Sequence, residues 1–282
     1  MSDRKPPRNE HELELALVRL MGGDNGKMLS MRSMMANAIV GQFLPDGAIL
    51  KGGGSLRFRY GSSFTRNTKD FDATRRGDLD GFLKSLRSSL IDGWCGFTGD
   101  CKILPHANPK DVPFDYVMQP VEIGLKYRNN PWCRVDLEIS HSEAGAAESC
   151  DWVPPPAEVI EVFEALGFPH PRPVPLITLE HQLAQKLHGA SDESERNGRA
   201  HDLIDIQLIV AEGRVDLSAV RRICLELYRQ RRKQKWPTLV TKHKDWDALY
   251  DEKRTGLNVL DSVDGAIEFV NDLIRKVEYE YR

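Results

Sequence analysis

A glycine-rich stretch and an aspartate pair follow each other closely between Lys51 and Asp72. The glycines Gly52–Gly54 and the hydroxyl of Ser55 come directly after the short apolar run 48–50, which predicts a turn at the end of a buried strand. Glycines at such a turn let backbone N–H groups approach a phosphate closely, and a serine adds a hydroxyl donor. The stretch therefore predicts a phosphate-binding turn.

The aspartate pair, Asp70 and Asp72, flanks Phe71 in a segment that reads as a strand. Residues at positions i and i+2 of a strand point to the same face, so both carboxylates lie side by side. They repel each other unless a divalent cation lies between them, and carboxylate oxygens are ligands that Mg²⁺ prefers. Glycine turns and surface Asp-x-Asp pairs are common separately, but their order and closeness favour a phosphoryl-transfer site with Mg²⁺ or Mn²⁺.

A second acid pair occurs in the segment RVDLEIS, where Asp136 and Glu138 again share one face of a strand. An acid in an otherwise apolar strand is costly if it is buried without a partner, and a metal ion is the simplest compensation. The sequence does not decide between Asp136 and Glu138 as the third metal-binding carboxylate. The alternative is an edge strand with a solvated face, on which Arg134 pairs with the acids.

A third set of candidates consists of Lys186, Asp202 and Asp205. The two acids are three residues apart on one face of a predicted helix, and Lys186 ends the preceding helix. A helical hairpin would bring the lysine beside the acids. Lysine suits phosphate binding as a compact cation on a long stem. The alternative is an ion pair that only fastens the two helices.

A run of cations follows near the C-terminal third of the chain. Positive charge beside aromatic residues such as Trp236 is what an RNA backbone and a stacked base need. The alternative is a solvated helix face. The predicted RNA-binding residues are Arg221, Arg222, Arg229, Arg231, Arg232, Lys233 and Lys235.

Taken together, the Gly-Ser pair and the run Arg66, Thr68, Asp70, Asp72 resemble the motif of the AbiEii/AbiGii nucleotidyltransferase toxins, the MenT-type toxins of type IV toxin–antitoxin systems. This family belongs to the DNA polymerase β-like nucleotidyltransferase superfamily. The resemblance implies that Asp70 and Asp72 hold metal, with Asp136 or Glu138 as a third carboxylate that activates the attacking hydroxyl. It further implies nucleotide binding by Gly54, Ser55, Arg66, Lys186 and Asp202, with Asp205 in a catalytic role.

The same resemblance implies a function. A metal-dependent enzyme of this kind transfers a nucleoside monophosphate from an NTP to an RNA acceptor, here expected to be the 3′ end of tRNA, which blocks translation. A cognate antitoxin is the expected partner. Two alternatives remain. One is a non-catalytic module that binds nucleotide or RNA, and the other is an antibiotic-type enzyme that modifies a small molecule. The retained candidate residues argue against the first, and the cationic run argues against the second.

The composition indicates the class of protein and the compartment in which we expect this chemistry. The 282 residues carry a formal net charge of −3 with 40% hydrophobic residues, so the chain has enough apolar residues for a sizeable core and is not globally basic. Its five cysteines form no CxxC pair, which favours a reducing compartment. No signal peptide or membrane-length apolar run is apparent, so we expect a cytoplasmic protein.

The elements that must position these residues are of two kinds. Short apolar runs, at 48–51, 70–74, 117–127 and 133–139, predict strands, with one clear helix at Leu79–Ile91 capped by Asp78. Helical periodicity dominates after the proline-rich stretch 168–175, which reads as a linker. We therefore predict an α+β chain: a polymerase β-like mixed-sheet domain over residues 1–167, including N-terminal helices, and a C-terminal helical bundle over residues 168–282.

Overall fold

The structure is a computed structural model that describes residues 5–66, 71–105, 117–194 and 197–280. Thr68 and Asp70 lie outside the described residues. The chain divides into two compact units. A sheet unit contains all seven strands and the first five helices; a helical unit contains the last five helices together with a short segment around Arg66 and the segment Glu143–Ser149.

The sheet unit is built on one mixed sheet with the strand order β3-β4-β5-β2-β1-β7-β6. The pairs β2–β5 and β1–β7 are parallel, and the other neighbouring pairs are antiparallel. The strands are β1 (Ala48–Lys51), β2 (Phe71–Arg75), β3 (Phe97–Ile103), β4 (Gln119–Tyr127), β5 (Asn130–His141), β6 (Asp151–Val153) and β7 (Val174–Leu176).

Short polar side chains begin several helices of this unit by accepting a hydrogen bond from an otherwise unpaired backbone N–H. Asn9 caps α1, Asp24 caps α2, and Asp78 caps α4 as the sequence predicts. The helices are α1 (Glu10–Leu20), α2 (Asn25–Phe43), α3 (Gly52–Tyr60), α4 (Leu79–Asp92) and α5 (Ala157–Ala165).

A cluster of four aromatic side chains packs in the core of the sheet unit. The ring of Phe97 lies 4.7 Å from that of Tyr127, 5.2 Å from that of Trp132 and 5.4 Å from that of Phe168, measured between centroids. All four side chains are buried. Large buried rings of this kind contribute strongly to core stability, so this unit has a well-packed core of its own.

The proline-rich stretch 168–175 is not the linker that its composition suggests. Phe168 belongs to the aromatic core, and Val174 begins strand β7, which pairs with both β1 and β6. Proline is tolerated here because β7 is three residues long and contributes few ladder hydrogen bonds. The division between the units accordingly falls after Leu176, later in the chain than the predicted boundary at 167/168.

The helical unit begins at α6, which Thr178 caps, and Asp216 caps α8. The segment Glu143–Ser149 is fastened to this unit: Glu143 forms a two-point ion pair with Arg231, at 2.9 and 2.6 Å. The helices are α6 (Leu179–Ala190), α7 (Ala200–Glu212), α8 (Leu217–Arg231), α9 (Trp246–Arg254) and α10 (Val263–Glu280).

The predicted fold class is confirmed: a mixed sheet comes first in the chain and a group of helices follows it. The strands β3, β6 and β7 are additional to those predicted from the sequence. The glycine stretch also differs from its prediction, because it is the first turn of α3 and not a loop. No helix in the described part of the chain is both long and apolar enough to cross a membrane.

Candidate active site

Three charged side chains lie side by side on the central strands of the sheet unit. In the strand register, Asp72 of β2 is opposite Glu138 of β5 on one side and Lys51 of β1 on the other. Registered residues on neighbouring strands project to the same face. We call Lys51, Asp72 and Glu138 the central row. Lys51 was not predicted, although its place directly before the glycines was a usable signal.

The central row meets the start of α3 at Gly52. This residue has a φ of +70°, a conformation that glycine adopts without strain. A Cβ atom built on Gly52 would overlap Oδ2 of Asp72. Only a glycine therefore leaves room for the Asp72 carboxylate in its observed position, which explains why a glycine is needed at the junction between β1 and α3.

The remaining residues of the glycine stretch form the first turn of α3. Gly54 and Ser55 are buried, and the Ser55 hydroxyl donates a hydrogen bond of 2.9 Å to the carbonyl oxygen of Gly52. Lys51, at the N-cap position, has no side-chain oxygen to cap the helix. The positive end of the helix dipole and its N–H groups suit an anion. Since the Ser55 hydroxyl is engaged within the helix, its contact with a phosphate stays a prediction.

The two acids of the second pair have different surroundings in the structure. Glu138 is half-buried beside Asp72, whereas Asp136 is exposed and lies opposite Glu122 of β4. Arg134, which the alternative interpretation pairs with these acids, lies 3.6 Å from Glu122. The structure thus distinguishes two acids that the sequence leaves equivalent, and it places Glu138 in the central row.

The donor set of the central row fits a divalent cation. Asp72 and Glu138 supply hard carboxylate oxygens from neighbouring strands, and Gly52 keeps the space beside Asp72 open. Within the described residues, no group of three His, Cys, Asp or Glu side chains could hold a metal ion. The other predicted ligand, Asp70, lies outside those residues.

The helical unit holds the third candidate set in a buried ion network. The Nζ atom of Lys186 lies 2.7 Å from Oδ1 of Asp202 and 2.6 Å from Oδ2 of Asp205. All three side chains are buried. The hairpin formed by α6 and α7 thus brings the lysine and the two acids together, as their helical spacing predicts.

Two arginines complete this ion network. Arg66 donates two hydrogen bonds, of 2.9 and 3.0 Å, to the Asp205 carboxylate, and Nε of Arg199 lies 2.6 Å from Oδ2 of Asp202. A Cβ atom built on Gly189 would lie 2.5 Å from both Nε of Arg199 and Oδ2 of Asp202, so any other residue there would displace at least one of these side chains from its observed position. Among the described residues, three cations of this network face its two carboxylates.

The charges in the network hold each other in the ionised state. Burial favours a raised pKa for Asp202 and Asp205, but attraction to Lys186, with Arg199 at Asp202 and Arg66 at Asp205, outweighs it and lowers both pKa values. Burial favours a lowered pKa for Lys186, yet the two aspartates raise it on balance. The lysine is therefore a charged and tightly paired group.

The predicted RNA-binding cations do not share one environment. Arg221 makes a two-point ion pair with Glu278, at 3.0 and 3.1 Å, and Arg231 pairs with Glu143 in the same way. Lys233 lies 3.0 Å from Asp192. The other members of the predicted set are exposed: Arg222, Arg229, Arg232 and Lys235.

A buried histidine adjoins the cationic run. Nδ1 of His188 lies 3.2 Å from Nη1 of Arg231, and its ring packs edge-on against Tyr228 at 4.7 Å between centroids. Burial, reinforced by the charge of Arg231, lowers the pKa of His188 to about 3. Burial likewise lowers the pKa of His201 to about 4. Both rings are therefore neutral in the folded protein at pH 7.

These histidines predict a loss of stability in mild acid. The unfolded chain binds a proton at each ring below its ordinary pKa of about 6.5, whereas the folded protein resists protonation. Their contribution is complete above pH ~6.5 and declines as the pH falls towards the folded pKa values, by about 1.4 kcal/mol per pH unit for each histidine. Denaturant unfolding between pH 7 and pH 4 measures this slope.

A variant isolates the part that His188 contributes. His188→Gln is expected to reduce the slope of the free energy of unfolding against pH by about 1.4 kcal/mol per pH unit, because one fewer group takes up a proton on unfolding. This expectation holds whatever the variant's stability at pH 7. The matched control is His11→Gln, which changes an exposed histidine on α1. An unchanged slope in His188→Gln would contradict the prediction.

Comparison with known proteins adds to this geometry. A family model described as the nucleotidyl transferase AbiEii toxin of type IV toxin–antitoxin systems matches residues 34–269. No curated protein matches the chain.

Two solved structures align with most of this chain. MenT4, a nucleotidyltransferase toxin from Mycobacterium tuberculosis H37Rv, aligns with a TM-score of 0.54 and 15% sequence identity over 94% of this chain and 98% of that chain. JHP933 from Helicobacter pylori aligns with a TM-score of 0.44 and 15% identity over 90% of this chain and 92% of that chain.

Proposed function

This chain belongs to the AbiEii family of nucleotidyltransferase toxins of type IV toxin–antitoxin systems, and from that premise we propose that it modifies the 3′ end of tRNA. The protein is a nucleotidyltransferase, for which an NTP is the substrate, and an antitoxin is its partner in the system. The tRNA acceptor, the dependence on a divalent metal ion and the residue roles given below are part of this proposal. A tRNA substrate places the protein's action in the cytoplasm.

The observation that carries the metal-dependent transfer in this proposal is the central row at the start of α3. Asp72 and Glu138 are registered neighbours on parallel strands, and Gly52 leaves space for the Asp72 carboxylate. We assign Asp72 and Glu138, together with Asp70, as ligands of Mg²⁺ or Mn²⁺. Such an ion, when bound, neutralises triphosphate charge and lowers the pKa of an attacking hydroxyl.

The chain's own groups then have distinct roles. The oxygen of the acceptor hydroxyl forms a bond to the α-phosphorus of the NTP, the bond from that phosphorus to the bridging oxygen breaks, and pyrophosphate leaves. Glu138 accepts the proton of the hydroxyl as general base. The first turn of α3, with Gly54 and Ser55, receives phosphate oxygens through its backbone N–H groups.

The helical unit contributes cationic groups to this proposal. Lys186 and Arg66 are the residues that, by family resemblance, would bind the nucleotide phosphates. Asp202 and Asp205 fix their positions through the ion pairs described above. Lys186 is buried in these ion pairs, and its contact with a phosphate is part of the proposal.

The proposal predicts a labelled RNA product. The full-length protein is incubated with each α-labelled NTP, Mg²⁺ and total tRNA, and the RNA is separated on a denaturing gel. We expect label in tRNA with at least one NTP, and none when the tRNA 3′ end has been oxidised with periodate, because oxidation removes the attacking hydroxyl. Equal labelling of intact and oxidised tRNA would overturn the 3′ end as acceptor. Pyrophosphate release without labelled RNA would point to a small-molecule acceptor instead.

A further inference from the structure

Several of the predicted RNA-binding cations already have partners inside the helical unit. The guanidinium groups of Arg221 and Arg231 each face a carboxylate in two-point geometry, and both side chains are mostly buried. Such a pair occupies the two N–H groups that would otherwise bind a phosphate. These arginines hold the helical unit together, and a polyanion would have to break their ion pairs to bind them.

Arg222 is exposed but lies in acidic surroundings. It lines a cleft of about 570 Å³ together with Glu148, Glu180, Asp216 and Glu226. Four carboxylates beside one guanidinium give this part of the surface a net negative charge. A phosphate backbone would be repelled here, since like charges brought together without compensation are unfavourable.

The C-terminal end of α8 differs from its N-terminal part. Arg229, Arg232 and Lys235 are exposed, and no ion pair to any of them is found among residues 5–66, 71–105, 117–194 and 197–280. We call these three residues the basic end of α8, although only Arg229 lies on the helix and Arg232 and Lys235 lie in the residues directly after it. Charges that are exposed and not neutralised by neighbouring acids are the ones available to a polyanion.

The chain that carries these cations is held in place by two residues that flank Lys235. Nε2 of Gln234 donates hydrogen bonds of 2.8 Å to the carbonyl of His188 and to the hydroxyl of Ser191. Nε1 of Trp236 donates a 3.0 Å hydrogen bond to Glu278. The tethered residues alternate with the exposed cations. Less freedom is therefore lost when this segment binds, which favours affinity.

We infer that the basic end of α8 is the surface that binds the RNA backbone, and that Arg221, Arg222, Arg231 and Lys233 are not RNA contacts. This inference rests on the proposed RNA acceptor and narrows the predicted set from seven cations to Arg229, Arg232 and Lys235. Arginine binds phosphate in a two-point geometry, and lysine binds it as a point charge.

The experiment compares two variants of the full-length protein. The first replaces Arg229, Arg232 and Lys235 by alanine, and the matched control is Arg222→Ala, another exposed arginine of the same helix. Binding of tRNA is measured across a salt series. The slope of log affinity against log salt falls by about 0.7–0.9 for each lost phosphate contact. We therefore expect the triple variant to lose about 2.1–2.7 units and the control to keep the wild-type slope.

The outcomes separate this inference from the proposed function. Equal slopes in the triple variant and the wild type, or an equal loss in Arg222→Ala, would overturn the assignment of the surface. Labelling of tRNA by the wild type is measured in parallel with saturating RNA. Labelling with unchanged slopes would leave the proposed function standing without this surface, whereas slopes as expected without labelling would support the surface and contradict tRNA modification.

Discussion

Asp72→Asn is expected to lower the turnover of nucleotide transfer at least a hundredfold, which corresponds to about 2.7 kcal/mol in the activation free energy. Asparagine has nearly the same shape as aspartate, so it fits beside Gly52 and leaves the fold intact. It lacks the negative charge that a divalent cation needs from its ligand. Turnover is measured with labelled NTP and tRNA at several Mg²⁺ concentrations, and thermal unfolding confirms the fold.

The matched controls for this prediction lie on β5. Glu138→Gln is expected to lose turnover as Asp72→Asn does, because Glu138 is the registered neighbour of Asp72. Asp136→Asn changes an acid on the same face of β5 that is exposed and lies opposite Glu122, and we expect it to stay within a few-fold of the wild type. A well-folded Asp72→Asn protein with wild-type turnover would refute the metal site, and a severe loss in Asp136→Asn alone would reassign the third carboxylate.

The second large effect is on stability. Lys186→Met is expected to lower the free energy of unfolding by about 3–5 kcal/mol, because it leaves the buried carboxylates of Asp202 and Asp205 without their shared cation. A loss of this size is a large part of the total stability of an ordinary domain. Denaturant unfolding followed by tryptophan fluorescence measures it, since Trp246 is buried within the helical unit.

A second variant shows whether uncompensated charge is the cause. In the double variant Lys186→Met, Asp202→Asn the lysine is still missing, but the buried pair of Arg66 and Asp205 remains and Arg199 is half-exposed. Asp202 no longer places a buried anion beside the missing lysine, so we expect part of the lost stability to return. A Lys186→Met protein with wild-type stability and an NTP KM raised by the equivalent of ~1.5–3 kcal/mol would contradict this account. It would favour the direct phosphate contact that the family resemblance implies.

The sequence predicted those elements whose local pattern is strong. Helix α4 has apolar residues at helical spacing and a capping aspartate, and β4 alternates buried and half-buried residues along its length. Strand β3 was missed because Gly99 and Asp100 interrupt its apolar residues. Helix α3 was read as a turn because glycine disfavours helix by about 1 kcal/mol per residue, and the burial that offsets this cost is a tertiary effect.

The candidate site was predictable in its residue types but not in its pairing. Asp72 and Glu138 follow from their same-face spacing within each strand. Their adjacency depends on the parallel pairing of β2 with β5, which brings together residues far apart in the chain. The same holds for the ion pair between Arg66 and Asp205. Local periodicity contains no information about such long-range partners, so the choice of Glu138 over Asp136 required the register.

The ion pairs of the helical unit limit how its sequence can recombine and diverge during evolution. Asp205 and Arg231 find their partners, Arg66 and Glu143, in stretches of chain that precede the last sheet strand. A gene rearrangement that moved residues 177–282 onto another protein would separate each charge from its partner. The helical half is therefore not an exchangeable module. Substitutions at these four positions must be accommodated together, so residues 177–282 and the two earlier segments that pair with them should diverge together.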